Sequence, residues 1–193
     1  MGKKGDAKRQ QIVDAAKQVL LENGPEGLVL RDIAEQLGIT HGNLQYYFRT
    51  RHALLVAIFD QEVAKYTDSM KEAVAATSSR RGRLSAIIDS GLKVLRLPET
   101  ALWRIMMSMA DHSPEMAAIL KKENDLYEAT VARELKHIAP SMAPQRRRHI
   151  AKIIHALLDG IGIQYVHEEP DSADMRALEL EVKAAIIALV EAD

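Results

Sequence analysis

Apolar residues in this chain recur every three to four positions nearly from end to end, and nowhere alternate as a half-buried strand requires. Ile12, Ala16, Val19 and Leu20 form one stripe; Leu84, Ile87, Ile88, Leu92 and Leu95 form another; Ile119, Leu126, Val131 and Leu135 a third. A 3.6-residue period sustained over that length predicts an all-α protein. Glycine, proline and capping residues cut it into about nine helices. "NGPEG" breaks the first helix, and Gly38 stops a short second one built on Ile33, Ala34 and Leu37. Thr40 is placed to cap a third short helix, and Thr50 a fourth carrying Leu54, Leu55, Ile58 and Phe59. Ala53 stands where the glutamate of a capping box would follow Thr50. Pro98, Pro114 and "HEEPDSAD" separate the later helices, the last three of which run over about 115–138, 145–167 and 173–191.

The remaining composition narrows the chemistry. The chain has 10 glycines, 6 prolines and no cysteine, which removes disulfides, thiolate catalysis and cysteine-bound zinc together. No window is apolar enough to span a membrane, and "MGKKGDAKRQQ" has charge without the apolar stretch of a secretory signal, so a cytoplasmic protein is expected. Neither a Gly-rich phosphate loop, HExxH nor an EF-hand pattern occurs. The histidines are scattered, and His149 and His155 are spaced to fall on different helix faces. We therefore expect no enzyme, no metal and no cofactor. Net charge is −1, against wholesale coating of nucleic acid, yet residues 1–52 carry +2 and the remainder −3. The short basic runs "SSRRGR" and "QRRRH" read as solvated helix ends.

The second and third helices are short and joined only by Gly38, Ile39 and Thr40, the spacing of a helix-turn-helix. In "HGNLQYYF", Leu44 and Phe48 share one face, leaving His41, Asn43, Gln45, Tyr46 and Tyr47 largely outside, with small Gly42 allowing close backbone approach. Three of the chain's seven Tyr and Phe residues fall here. Asn and Gln can pair with adenine edges, and Tyr can pack on a thymine methyl or bond a phosphate. Arg49 and Arg51 lie just beyond, able to hold phosphates. Such a motif also serves as a protein-docking surface in chains that never touch DNA, so a helical protein–protein adaptor is the alternative.

"RQQIVDAAKQVLLENGPEGLVLRDIAEQLGITHGNLQYYFRTRHALLVAIFD" resembles, without a gap, the N-terminal domain of the TetR family of transcriptional repressors. The resemblance implies a DNA-binding domain over 1–52 and a helical effector-binding and dimerisation domain over 53–193. It implies a homodimer on a near-palindromic double-stranded DNA operator, released when a small molecule binds. Carried over by position, Arg31, His41, Asn43 and Gln45 would read bases, while Thr40, Tyr46, Tyr47 and Arg51 would hold phosphates. Two departures stand out. Val29 and Leu30 occupy the stretch before "RDIA" where a Ser or Thr commonly caps the second helix, and Gln45 stands where tyrosine is frequent.

In "ALWRIMMSMADH" the only Trp meets a run of methionines, adaptable side chains that suit either an apolar pocket or ordinary core. With the resemblance, we expect an effector pocket lined by Trp103, Met106, Met107, Leu92, Tyr127 and His155, with Asp89 or Asp111, if either faces inward, favouring a cationic or hydroxylated ligand. The last two helices are apolar over wide arcs that include Ile154, Leu157, Leu158, Ile161, Ile186 and Leu189. That breadth predicts a four-helix interface between two copies; its alternative is a monomer that buries these residues in its own core.

Overall fold

The computed structural model describes residues 2–94, 96–165, 167–169 and 171–192; Leu95, counted above in a helical stripe, lies outside them. Among the described residues there are nine α-helices and no strand: α1 (Lys3–Asn23), α2 (Leu30–Gln36), α3 (His41–Tyr47), α4 (Arg51–Ala75), α5 (Arg80–Val94), α6 (Thr100–Ala110), α7 (Pro114–Ile138), α8 (Pro144–Gln164) and α9 (Ala173–Glu191). One 3-10 turn, Pro25–Gly27, follows α1. No helix of the described residues is long and apolar enough to cross a membrane.

The chain forms two compact units, Met1–Ala64 with Ala101–Ile119, and Lys65–Thr100 with Leu120–Asp193. The division expected after residue 52 falls inside the first turn of α4, which continues unbroken to Ala75.

In the first unit the punctuation acts as its chemistry predicts. Gly24 and Gly38 are the glycines with positive φ, +67° and +63°. At Gly38 the chain leaves α2 by a Schellman motif, with the Gly38 N–H on the Glu35 carbonyl (3.0 Å) and the Ile39 N–H on that of Ala34 (3.0 Å). Thr40 then caps α3, its hydroxyl oxygen accepting from the Asn43 N–H at 3.1 Å. Thr50 does the same for α4 through the Ala53 N–H at 3.0 Å. Ile12, Ala16 and Leu20 of α1, Ile33 of α2, and Leu44 and Phe48 are buried. Val13 joins them, while Val19, placed in the inward stripe by spacing, is only half-buried. The α1 and α4 surfaces are tied by Lys17 to Glu62 at 3.0 Å and by Gln10 to Gln61 at 3.1 Å.

The second unit has its own core, to which α4, α5, α7, α8 and α9 contribute, among others, Met70, Ile88, Val131, Ile154 and Ile186. On α7 the inward row is Glu123, Tyr127, Val131 and Leu135, a strict i+4 series. Leu126, expected inward, sits about a quarter-turn away and is 47% exposed. Where α5 meets α8, Gly91 has no side chain to spare: a Cβ there would come within 2.5 Å of a Leu158 methyl. Ion pairs fasten the rim, Arg83 to Glu134 at 3.0 Å and Arg96 to both Asp171 and Glu179 at 2.5 Å.

Candidate nucleic-acid interface and effector site

Burial of Leu44 and Phe48 decides which way α3 points. With both under 3% exposed, its other residues are thrown outward: His41, Gly42, Asn43, Gln45 and Tyr46 are exposed and Tyr47 is half-buried. Tyr46 is 74% exposed, and its ring meets that of Tyr47 edge-on at 5.2 Å. That contact limits both rings without burying the Tyr46 phenol. A Cβ on Gly42 would meet nothing within 4 Å, so the middle of the outward face is open. Thr40 is exposed, and because its oxygen accepts the capping bond, its O–H proton stays available to a phosphate. Arg31 is exposed in the first turn of α2.

Arg51 is exposed and also has partners within the protein itself. The family likeness assigns it to phosphate, but its Nε donates to the Leu28 carbonyl at 3.1 Å and its Nη2 to the Pro25 carbonyl. One edge of the guanidinium is therefore committed to the protein's own backbone. A second exposed basic residue also meets the protein itself: the Arg9 guanidinium lies 4.8 Å from the centre of the Phe48 ring.

In the second unit, Tyr127 of α7 lies between Tyr66 of α4 and His155 of α8. The tyrosine rings stack at 5.6 Å with their hydroxyls 3.4 Å apart, and the imidazole stands 4.6 Å from the Tyr127 ring. His155 is in turn flanked by Glu128 (Nδ1 to Oε1, 3.6 Å) and Asp159 (Nε2 to Oδ2, 3.3 Å). Burial, reinforced by Asp159, pushes the Tyr66 phenol up to about 12 against the opposing effect of its hydrogen bond with Tyr127, and burial likewise raises that of Tyr127. Both rings are neutral at physiological pH. Two buried oxygens nearby in sequence, Thr67 Oγ1 and Asn124 Oδ1, have no hydrogen-bond partner among the described residues.

The expected pocket residues thus divide. Tyr127 and His155 meet, and Leu92 belongs to the same core. Asp89 does not face inward: its side chain is 55% exposed and pairs with Lys183 of α9 at 2.6 Å. Trp103, Met106 and Met107 lie on α6 in the first unit, Met106 fully buried and the other two half-buried. Tyr66, Glu128 and Asp159 escaped the sequence reading, although Asp159 carries a usable signal, four residues after His155 on one helix face.

The residues expected at a subunit interface divide as well. Ile154 and Ile186 are 0% exposed, and Leu158 and Ile161 are also buried in the subunit's own core; Leu157 and Leu189 are half-buried. Side chains already out of water have nothing further to gain from a second copy. The outward face of α8 instead carries Ile153, Ala156, Leu157 and Gly160, and that of α9 carries Ala177, Leu180, Ala184 and Ala188.

Residues 12–58 match the bacterial regulatory proteins of the tetR family, and residues 80–188 match the C-terminal domain of BetI-type transcriptional repressors. The chain belongs to the TetR family. It is a transcriptional regulator with an N-terminal helix-turn-helix and a C-terminal ligand-binding domain, and not an enzyme. The HTH-type transcriptional regulator BetI of Yersinia pestis (strain Pestoides F) is 24% identical over 161 residues, 81% of this chain and 80% of that protein. Two solved structures share the fold. One, a Saccharomonospora viridis protein in complex with choline, has a TM-score of 0.75 at 18% identity and covers 97% of both chains. The other, Bacillus subtilis FadR in complex with stearoyl-CoA, has a TM-score of 0.72 at 19% identity and covers 95% of this chain and 98% of its own. The first ligand is a small quaternary ammonium alcohol and the second a long-chain thioester, so within this TetR-family fold the ligand follows from individual side chains.

Proposed function

We propose that this TetR-family regulator is a cytoplasmic repressor that binds a near-palindromic operator as a homodimer and leaves it when a small molecule enters the C-terminal domain. The observation that carries the reading is the outward row of α3 held over a buried Leu44–Phe48 pair. His41, Asn43 and Gln45, with Arg31 of α2, read base edges; Thr40, Tyr46 and Tyr47 hold phosphates. The exposed apolar faces of α8 and α9, lined by Ile153, Gly160, Leu180 and small alanines, form the isologous four-helix contact that places two recognition helices one DNA turn (~34–36 Å) apart.

The effector site centres on Tyr66, Tyr127 and His155. Tyrosine faces flanked by Glu128 and Asp159 suit a cationic or hydrogen-bond-donating ligand. The test is selection of bound sequences from a random DNA pool at near-physiological salt, with and without the double variant Gln45→Ala, Tyr46→Ala. An inverted repeat enriched by wild type and lost in the folded variant supports the reading. Absence of enrichment by the folded, ligand-free wild type sinks it in favour of the protein-docking alternative.

A further inference from the structure

Helix α2 starts without a capping side chain. Its N-cap is Val29, and the bonds there among the described residues are backbone ones: the Asp32 and Ile33 N–H groups on the Val29 carbonyl, and the Val29 N–H on the Gly27 carbonyl at 2.9 Å. Something else must fix the segment 25–28, because the direction of α2 depends on it and Leu28, 1% exposed, anchors it in the core. The fixing group comes from the first residue of α4. Arg51 spans the carbonyls of Pro25 and Leu28 with one edge of its guanidinium, and the Leu28 N–H closes the turn on the Pro25 carbonyl at 3.1 Å. A planar fork can hold two acceptors three residues apart in one geometry, which an ammonium cannot. Thr50 makes the fork's base rigid by capping α4 directly before it.

We propose that Arg51 is a positioning residue: it braces the segment leading into α2 against the first turn of α4, at a helix start that Val29 leaves without a side-chain cap, and so sets where Arg31 meets DNA. This rests on the DNA-binding reading of α2 and α3. A change at the start of α4 reaches the start of α2 through these two bonds, which occupy one edge of the Arg51 guanidinium.

The experiment uses the full-length protein and three variants, Arg51→Lys, Arg51→Gln, and Arg51→Gln combined with Val29→Thr. Operator affinity is measured over a salt series, and backbone amide exchange at residues 28–33 is measured without DNA. For a brace, Lys and Gln variants both lose about tenfold or more in affinity. The slope of log affinity against log salt stays that of wild type, and amides at the start of α2 exchange faster. Val29→Thr restores their protection while adding no charge. For a phosphate ligand, Arg51→Gln flattens the slope by about 0.9, Arg51→Lys restores it, and the amides are unchanged; that pattern overturns the proposal. Wild-type amide exchange in Arg51→Gln overturns it too. If wild type binds no DNA, the regulator reading falls, and the amide comparison still decides whether Arg51 braces α2.

Discussion

Gly42 illustrates how one position can have opposite values for folding and for binding. Its Cβ space is open, so Gly42→Ala removes backbone freedom without a clash and should raise stability by up to about 1 kcal/mol. On the outward face of α3, however, the added methyl stands where DNA approaches, and operator affinity should fall by about tenfold or more, the scale of one lost base contact. Thermal unfolding and operator titration on one sample check both signs; a variant that gains stability and binds normally would show that DNA does not come close at Gly42. The tyrosines of the second unit give a pH test. Their phenols are raised by burial, Tyr66 from 10.0 to about 12, so the folded state holds protons that the unfolded state releases. Their contribution is fully present below pH 10 and is lost as pH rises toward 12. Denaturant midpoints across that window should fall in wild type and fall less in Tyr66→Phe.

At the scale of elements, the caps and stops were legible because they are local. Thr40, Thr50, Gly38 and Gly24 act within four residues of themselves, and their chemistry is the same in any helical protein. Inward faces were legible only to within one residue: period alone admits Leu126 or Tyr127 on α7, and packing selected Tyr127. The meeting of α5 and α8 was not legible, since nothing near Gly91 announces Leu158, which is 67 residues away. Gly91→Ala should destabilise by about 1–3 kcal/mol through overpacking. Leu158→Ala should cost about 2–5 kcal/mol. The double variant should cost clearly less than the two together, because each change relieves the other; additive losses in a denaturation cycle would mean the two residues are not coupled.

For the whole molecule, assembly depends on which apolar residues are left over once a subunit has filled its core. Leu180 is 68% exposed and Ile186 is fully buried, six residues apart on α9. Leu180→Glu should leave subunit stability within about 0.5 kcal/mol of wild type. It should nevertheless separate the dimer and lower operator affinity, as read by sedimentation. Ile186→Glu should instead unfold the subunit. A Leu180→Glu protein that still sediments as a dimer would remove α9 from the interface. The proposed effector site belongs to this scale as well, since Tyr66, Tyr127 and His155 come from three helices.

Sequence by itself determined the all-α class, the helix-turn-helix, its caps and the residues α3 turns outward, because a helical period and a cap are properties of a few neighbouring residues. Tertiary structure alone decided that Ile154 and Ile186 are core, that Asp89 pairs with Lys183, and that Tyr66 joins Tyr127. It also decided that Arg51 reaches back 23 and 26 residues to the carbonyls of Leu28 and Pro25. Each of those depends on which of several apolar or charged faces finds a partner far along the chain, and the 3.6-residue period marks a face without naming what it meets.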